Sequence, residues 1–182
     1  HLLALQPIYR QALAVAEFTP RDLDAVAVTV GPGLAGALLV GVNFAKGLAL
    51  GLNIPLLCVN HLEGHIYAAW LEDGPTPMEQ PGLPLVCLLA SGGHTELILM
   101  QGHGQQYLLG QTRDDAAGEA FDKAARVLGL GFPGGPEIQR VAETASLAGA
   151  KREKLPWAKM GDSLDFSFSG VKTALLRRAS EL

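Results

Sequence analysis

The sequence lacks the features that mark disulfide-rich, secreted and membrane-spanning proteins. It has two cysteines in 182 residues, Cys58 and Cys87, each in an apolar, strand-like run where cysteine behaves as a small buried side chain. Two such residues form no disulfide framework and indicate a reducing compartment. The longest apolar runs, such as Leu83 to Ala90, are far shorter than the roughly 20 residues that span a bilayer. The start of the chain shows no signal-peptide pattern. We therefore expect a cytoplasmic protein that does not contact a membrane.

The sequence also lacks an excess of positive charge. Its net charge of −4 excludes a generally basic protein, so a nucleic-acid partner would be held by a local patch or by another subunit. With 48% hydrophobic residues, the chain can bury a core. It starts within one helical pattern and stops within another, which indicates a piece of a longer protein.

The first part of the chain predicts a βαβ unit. Its elements are a strand over 25–30, a glycine turn over 31–36, a helix over 37–51 and a strand over 54–60. This order implies a parallel strand pair. Asn60 is a good N-cap for a further helix, which we expect to run toward Asp73.

The second part changes character after a proline-rich segment, 74–84, which predicts a linker between two subdomains. Three antiparallel strands and three helices should follow. The expected ranges are strands over 83–90, 95–100 and 106–112, and helices over 114–129, from Pro136 onward and from Phe166 onward.

Two histidines four residues apart form the first candidate site. His61 and His65 would lie on one helix face, so both imidazoles could reach one metal ion, which would still need a third ligand. The alternative is that both rings cap or pack within the helix, the commoner outcome for an isolated pair. The zincin protease motif fits poorly, because Glu63 lies about 200° round the helix from His61 instead of about 100°.

The turn LASGGHT, residues 89–95, is the second candidate. Two glycines between strands let the backbone approach a ligand, and consecutive amides with the hydroxyls of Ser91 and Thr95 predict a nest for an anion such as phosphate. A plain hairpin turn explains the same residues equally well.

The third candidate combines DDAAGEAFDK, residues 114–123, with the loop FPGGP, residues 132–136. Acidic residues at a helix start are usually caps, but Asp122, in mid-helix, could accept hydrogen bonds from sugar hydroxyls. The double glycine before a helix offers exposed N–H groups to an anion. Each candidate has an ordinary explanation when it stands alone, and their joint occurrence favours a function.

Five motifs in this order and spacing resemble the TsaD family of tRNA N6-adenosine threonylcarbamoyltransferases, in wording closest to its bacterial branch. They are NHLEGH, LLASGGHT, DDAAGEAFDK, GFPGGP and LDFSFSGVKTA. The resemblance covers essentially the whole chain. It implies an α/β fold of the actin-like ATPase (ASKHA) type with two RNase H-like subdomains, residues 1–78 and 79–182, both incomplete here.

The resemblance also implies residue roles. His61 and His65 match ligands of one divalent metal ion, iron in preference to zinc. Residues that match nucleotide contacts are Leu89, Ala90, Ser91, Gly92 and Gly93 in the first loop, Asp122 at the ribose, and Gly135 in the second loop. The family's third metal ligand, an aspartate, and a further nucleotide-contacting asparagine have no counterpart here. We therefore expect poor nucleotide binding and no turnover from this chain alone.

The implied reaction transfers threonylcarbamoyl from threonylcarbamoyl-adenylate to N6 of adenosine 37 in tRNAs that read codons beginning with A. The implied partners are tRNA, a TsaB-like protein and a TsaE-like protein. Two alternatives stay open. One is a metal-free, TsaB-like scaffold of the same fold, with a segment comparable to 31–36. The other is a metallopeptidase, which the position of Glu63 disfavours.

Overall fold

The computed structural model describes residues 2–71, 82–147, 154–158 and 160–181 of a mixed α/β chain. The chain divides into two compact units, His1–Gly74 and Pro75–Leu182. Most of the predicted linker, 74–84, lies outside the described residues, and so does the predicted subdomain boundary at 78 and 79. Both stay predictions.

The first unit contains the expected βαβ arrangement. Its elements are helix α1 (Leu2–Val15), a 3-10 turn (Pro20–Asp22), strand β1 (Val26–Gly31), helix α2 (Ala35–Leu52), strand β2 (Leu56–Asn60) and helix α3 (His61–Ala68). Strands β1 and β2 pair in parallel, with Val26 opposite Leu56, which confirms the predicted parallel pair. Asn53 caps the end of helix α2: its backbone is left-handed (φ 55°), and its N–H donates to carbonyl groups of the last turn.

Helix α2 is apolar along its whole length. Among the described helices it is the one long and apolar enough to cross a membrane, a criterion that the core helix of a water-soluble protein also meets. This helix is longer than an uninterrupted apolar run such as Leu83 to Ala90, because it continues through the isolated polar residues Asn43 and Lys46. Its Phe44 ring packs edge-on against Tyr9 of α1, with ring centroids 5.6 Å apart.

The second unit is an antiparallel sheet followed by three helices. Its elements are strands β3 (Leu85–Ala90), β4 (Thr95–Gly102) and β5 (Gln105–Gln111), and helices α4 (Ala117–Val127), α5 (Gly134–Leu147) and α6 (Ser169–Glu181). The strand order β3-β4-β5 confirms the predicted three-strand meander. The buried side of the sheet centres on Ile98 and Met100 of β4.

Two helices of this unit begin later than the sequence predicts. Helix α4 begins at Ala117 and not at Asp114, because the Asp114 carboxylate accepts hydrogen bonds from the Ser167 hydroxyl and the Phe168 N–H. Helix α6 begins at Ser169 and not at Phe166, since Phe166 pairs with the end of β5: its N–H donates to the Gln111 carbonyl at 3.0 Å.

The start of α5 and the end of α3 also differ from the prediction. Helix α5 begins at Gly134, two residues before Pro136, because the Asp122 carboxylate accepts the Gly134 N–H at the helix start. Helix α3 ends at Ala68, where the Ala69 N–H turns to the Ile66 carbonyl, and it does not continue toward residue 73.

The start of α4 is bound directly to the β3–β4 turn. The Ala117 N–H donates to the Thr95 hydroxyl oxygen at 2.8 Å, and the Gly118 N–H donates to the Ser91 carbonyl at 3.0 Å. A Cβ on Gly118 would lie 2.8 Å from that carbonyl oxygen and 2.9 Å from the Gly92 backbone. Residue 118 is therefore a glycine because α4 and the turn meet backbone to backbone.

The Gly118→Ala variant should lose stability. Relieving this backbone overlap should cost about 1–3 kcal/mol, the range for overpacked sites. Gly170→Ala is the matched control, because Gly170 is likewise the second residue of its helix and a Cβ there would have no described atom within 4 Å. Thermal unfolding of both variants is the measurement. Equal midpoints would contradict the close approach.

Candidate functional site

The two predicted metal ligands lie at the start of α3, where β2 ends. Asn60 caps the helix, its side-chain oxygen accepting the Leu62 N–H at 2.8 Å and the Glu63 N–H at 3.4 Å. This cap fixes the first turn, so that His61 and His65 project from one exposed face of the helix.

The two imidazoles converge on one point. Their Nε2 atoms are 3.2 Å apart, and their ring centroids are 4.5 Å apart. At this distance one neutral ring can donate its N–H to the other. Alternatively, both lone pairs can face one ion, because two metal–nitrogen bonds of about 2.1 Å with this separation subtend roughly 100°. The geometry of the pair therefore fits a shared metal ion.

An open hollow of about 250 Å³ lies beside the pair. Its lining residues are Thr29, Val59, Asn60, His61, Gly64 and His65. Within the part of the chain that the structure describes, no three or more His, Cys, Asp or Glu side chains group to hold a metal. The described residues could thus supply two ligands at this point, and a bound ion would need others.

The SGGH turn, Ser91–His94, joins β3 to β4. The Ser91 N–H donates to the His94 carbonyl at 2.8 Å, and the Ser91 hydroxyl oxygen accepts the N–H groups of Gly93 at 3.3 Å and His94 at 3.0 Å. Gly92 and Gly93 are exposed, with no described atom within 4 Å of the position that a Cβ would take. Main chain therefore faces outward at this turn.

The prediction that the Thr95 hydroxyl faces a bound anion is wrong. Thr95 is 3% exposed, and its hydroxyl oxygen accepts the Ala117 N–H of α4 instead of facing a ligand beside the turn. Leu89 is also buried, whereas Ala90 is exposed at the end of β3. The exposed part of the predicted loop is thus Ala90 with the two glycines, and Ser91 organises it.

Asp122 joins α4 to the start of α5. Its Oδ1 accepts the Gly134 N–H at 2.7 Å. A Cβ on Gly134 would lie 2.6 Å from the Asp122 Cα and 2.6 Å from the Phe121 carbonyl oxygen, whereas a Cβ on Gly135 would meet no described atom within 4 Å. Gly134 is therefore the packing glycine, and Gly135 faces open space.

Helix α4 brings the predicted nucleotide contacts of the second unit together. Its N-terminus binds the SGGH turn, and Asp122, one turn further along the helix, accepts the N–H of Gly134, the first glycine of the pair Gly134–Gly135. An α-helix rises about 1.5 Å per residue, so the two anchor points are separated by only a few ångströms along its axis. Two loops distant in sequence are thereby presented from one helix.

Sequence reasoning missed an ionic cluster beside α4. Asp115 binds Lys123 of α4 and Lys172 of α6, and these hydrogen bonds hold the pKa of its carboxyl below the usual value. The pKa of Lys123 is raised by its hydrogen bonds to Asp115 and Glu119. Residues eight apart are not neighbours on a helix, and nothing local points to Lys172, so the sequence pattern gives no signal for this cluster.

Comparison with known proteins identifies relatives along the whole chain. A family model described as TsaD, tRNA N6-adenosine threonylcarbamoyltransferase, matches residues 1–182. A protein of that name from Thermomicrobium roseum is 60% identical over 178 residues, covering 97% of this chain and 48% of the relative. Its namesake from Thermus thermophilus is 54% identical over 179 residues, covering 97% and 51%. The chain spans about half the length of the curated relatives it matches.

Among solved structures, YeaZ from Pseudomonas aeruginosa is similar to this chain with a TM-score of 0.42 and 24% sequence identity. The match covers 59% of this chain and 48% of YeaZ. At these values the likeness carries no argument about fold or function.

The variants Gly134→Ala and Gly135→Ala should differ in stability, because one glycine is packed and the other is exposed. The first forces a methyl group into the α4 backbone and should lower the free energy of unfolding by about 1–3 kcal/mol. The second places the methyl group in open space and should leave stability within about 0.5 kcal/mol. Urea unfolding measures both. A Gly135→Ala variant as unstable as Gly134→Ala would contradict the assignment of the two glycines.

Proposed function

The chain belongs to the TsaD family of tRNA N6-adenosine threonylcarbamoyltransferases, and on this premise we propose that the protein containing it transfers a threonylcarbamoyl group to tRNA. The group moves from threonylcarbamoyl-adenylate to N6 of adenosine 37 in tRNAs that read codons beginning with A. The carbonyl carbon forms a bond to N6, its bond to the phosphate oxygen breaks, N6 loses one proton to the surroundings, and AMP leaves with the electron pair of the broken bond. The observation that carries the proposal is the gathering of the SGGH turn, Asp122 and the glycine pair around α4, in a chain that the family model matches throughout.

We further propose that the chain has the actin-like ATPase fold, with an RNase H-like subdomain on either side of a boundary at residues 78 and 79. The parallel pair with its helical connection agrees with this architecture in the first unit, and so does the antiparallel meander followed by helices in the second.

In this proposal the second unit binds the adenylate part of the donor. Gly92 and Gly93 present main chain without side chains, which lets a phosphate approach the turn closely. Gly135 does the same at the first turn of α5, where N–H groups and the helix dipole favour an anion. Such donors stabilise the negative charge that develops on the leaving phosphate.

Asp122 can serve two partners at once. Its Oδ1 holds the Gly134 N–H, and its Oδ2 is a second acceptor that a ribose hydroxyl can use. A ribose bound there would lie beside the glycine pair, since the same carboxylate holds the start of α5. Asp122 therefore orients the sugar and the second loop together.

His61 and His65 would hold one divalent ion, for which we propose iron in preference to zinc. Their converging Nε2 atoms support this role. When bound, such an ion supplies a Lewis acid able to polarise a carbonyl or phosphoryl oxygen. The histidines contribute neutral nitrogen ligands from a capped helix turn, which holds both rings at the distance that one ion requires.

The proposed partners are tRNA, a TsaB-like protein and a TsaE-like protein, in the cytoplasm. With a net charge of −4, the chain offers little general attraction for a polyanion. Other chains or other parts of the protein should therefore supply a share of the tRNA-binding surface.

Formation of the modified nucleoside tests the reaction. The full-length gene product, its two partner proteins, threonylcarbamoyl-adenylate and unmodified tRNA should yield threonylcarbamoyl-adenosine, read by mass spectrometry of the digested tRNA. Asp122→Ala should lower the yield because the sugar loses its acceptor. If the product does not form with partners shown to be active alongside another family member, the proposed reaction is refuted and the scaffold alternative is favoured.

Metal content tests the histidine pair independently of turnover. After anaerobic loading with Fe²⁺, His61→Ala should bind the ion at least about tenfold more weakly than the wild type, because one of its two ligands here is gone. Glu63→Gln, on the same helix, is the matched control and should bind normally. Elemental analysis and titration measure both, and full metal content in His61→Ala would remove the metal role.

A further inference from the structure

One carboxylate before α4 holds two lysines that belong to two helices. Asp115 Oδ1 accepts a hydrogen bond from Lys123 Nζ at 2.6 Å, and Oδ2 accepts one from Lys172 Nζ at 3.0 Å. The Asp115 side chain is 14% exposed, and those of the lysines are 34% and 35% exposed. Partial burial makes such a bridge stronger than an exposed surface pair, because water screens it less.

The neighbouring aspartate holds the same helix α6. Asp114 accepts hydrogen bonds from the Ser167 hydroxyl at 2.5 Å and the Phe168 N–H at 2.8 Å, just before the first turn of α6. A carboxylate at a helix N-terminus is favourable because of the helix dipole. Two consecutive aspartates thus attach α6 to the loop that leads into α4.

This loop ends at the helix that carries the proposed nucleotide contacts. Immediately after Asp115, the N–H groups of Ala117 and Gly118 bind Thr95 and the SGGH turn. Lys123, the α4 residue that Asp115 holds, directly follows Asp122 in the chain. A displacement of α4 along its axis would therefore disturb the turn at one end and the Asp122–Gly134 hydrogen bond at the other.

Charge decides what happens when the carboxylate is removed. Lys123 retains a second partner, Glu119, at 2.9 Å on the same helix. Lys172 lies on α6, and Asp115 is the group that draws it toward α4. Without the negative charge, two ammonium groups that converge on one point repel each other. The ionic bridge between α4 and α6 is then lost, and Asp114 alone attaches α6 to the loop before α4.

We propose that Asp115 is a positioning residue for the donor nucleotide: by bridging Lys123 and Lys172 it holds α4 in the place where the SGGH turn and Asp122 meet the adenylate. The inference rests on the proposed function, because it concerns the same nucleotide face. Asp115 itself contacts neither the sugar nor the phosphate, and its effect passes through α4.

The test uses the full-length gene product with Asp115→Asn, Lys172→Met and the double variant. Calorimetric titration with AMP, at a temperature well below the unfolding midpoints, should show affinity about tenfold weaker in Asp115→Asn and at least threefold weaker in Lys172→Met. The double variant should bind AMP no more weakly than Asp115→Asn does, because both substitutions break the same bridge through Asp115. In the transfer assay, KM for threonylcarbamoyl-adenylate should rise while kcat stays within about twofold.

Glu181→Gln is the matched control, since it removes the exposed Arg178–Glu181 pair from the same helix and should leave AMP affinity unchanged. Wild-type AMP affinity in Asp115→Asn would overturn the proposal, and so would additive losses in the double variant. If Asp115→Asn does not fold, Lys172→Met decides by the same criterion. If the wild-type protein binds AMP but forms no modified nucleoside, the proposed reaction is refuted and the role of Asp115 is not. If the wild-type protein binds no AMP, the role of Asp115 is refuted too.

Discussion

The second unit depends on a backbone contact between the start of α4 and the turn that joins β3 to β4. The Gly118 N–H reaches the Ser91 carbonyl, and the absence of a side chain at residue 118 lets the helix come within van der Waals distance of Gly92. A helix N-terminus has N–H groups without partners inside the helix. Here the Ser91 carbonyl and the Thr95 hydroxyl accept two of them. The sheet therefore caps the helix, and the helix in turn fixes the shape of the turn.

The first unit positions its two histidines by purely local means. Asn60 ends β2 and caps α3 with its side chain, so the direction of the helix follows from the end of the strand. The four-residue spacing then sets the separation of the two rings. The cap and the spacing lie within the six residues from Asn60 to His65, and in the structure the two Nε2 atoms are 3.2 Å apart, so the shared face of the two histidines could be predicted from a short stretch of sequence.

Whether a feature could be predicted depends on how far apart in sequence the interacting residues lie. The parallel pair, the three-strand meander and the histidine face depend on periodicity and short spacing, and all of them could be predicted. The starts of α4 and α6 could not, because Asp114 binds Ser167 and Phe168, more than fifty residues away. Likewise, Gly134 and Gly135 look alike in sequence, and only their neighbours in the fold show which one packs against α4.

The sequence also cannot show whether a polar side chain faces a ligand or binds another element of the fold. Thr95 looked like a ligand-facing hydroxyl because it follows two glycines, but its position at the first residue of a buried strand turns it toward α4. Asp115 looked like a cap for α4, yet its carboxylate binds two lysines. In both cases a side chain that the local pattern assigns to a ligand or to a helix end connects two elements of the fold instead.

The outward-facing glycines of the SGGH turn take no part in the packing of the unit, and under the proposed function this has a consequence for variants at these positions. Gly92 and Gly93 have open space where a side chain would stand, so replacing either one leaves the packing of the unit undisturbed. What changes is the surface of the turn, because any side chain at residue 92 or 93 covers the main chain that is exposed there. Variants at these positions should therefore accumulate to normal levels in a cell. A survey of protein abundance would classify them as harmless, although the exposed main chain of the turn would be covered.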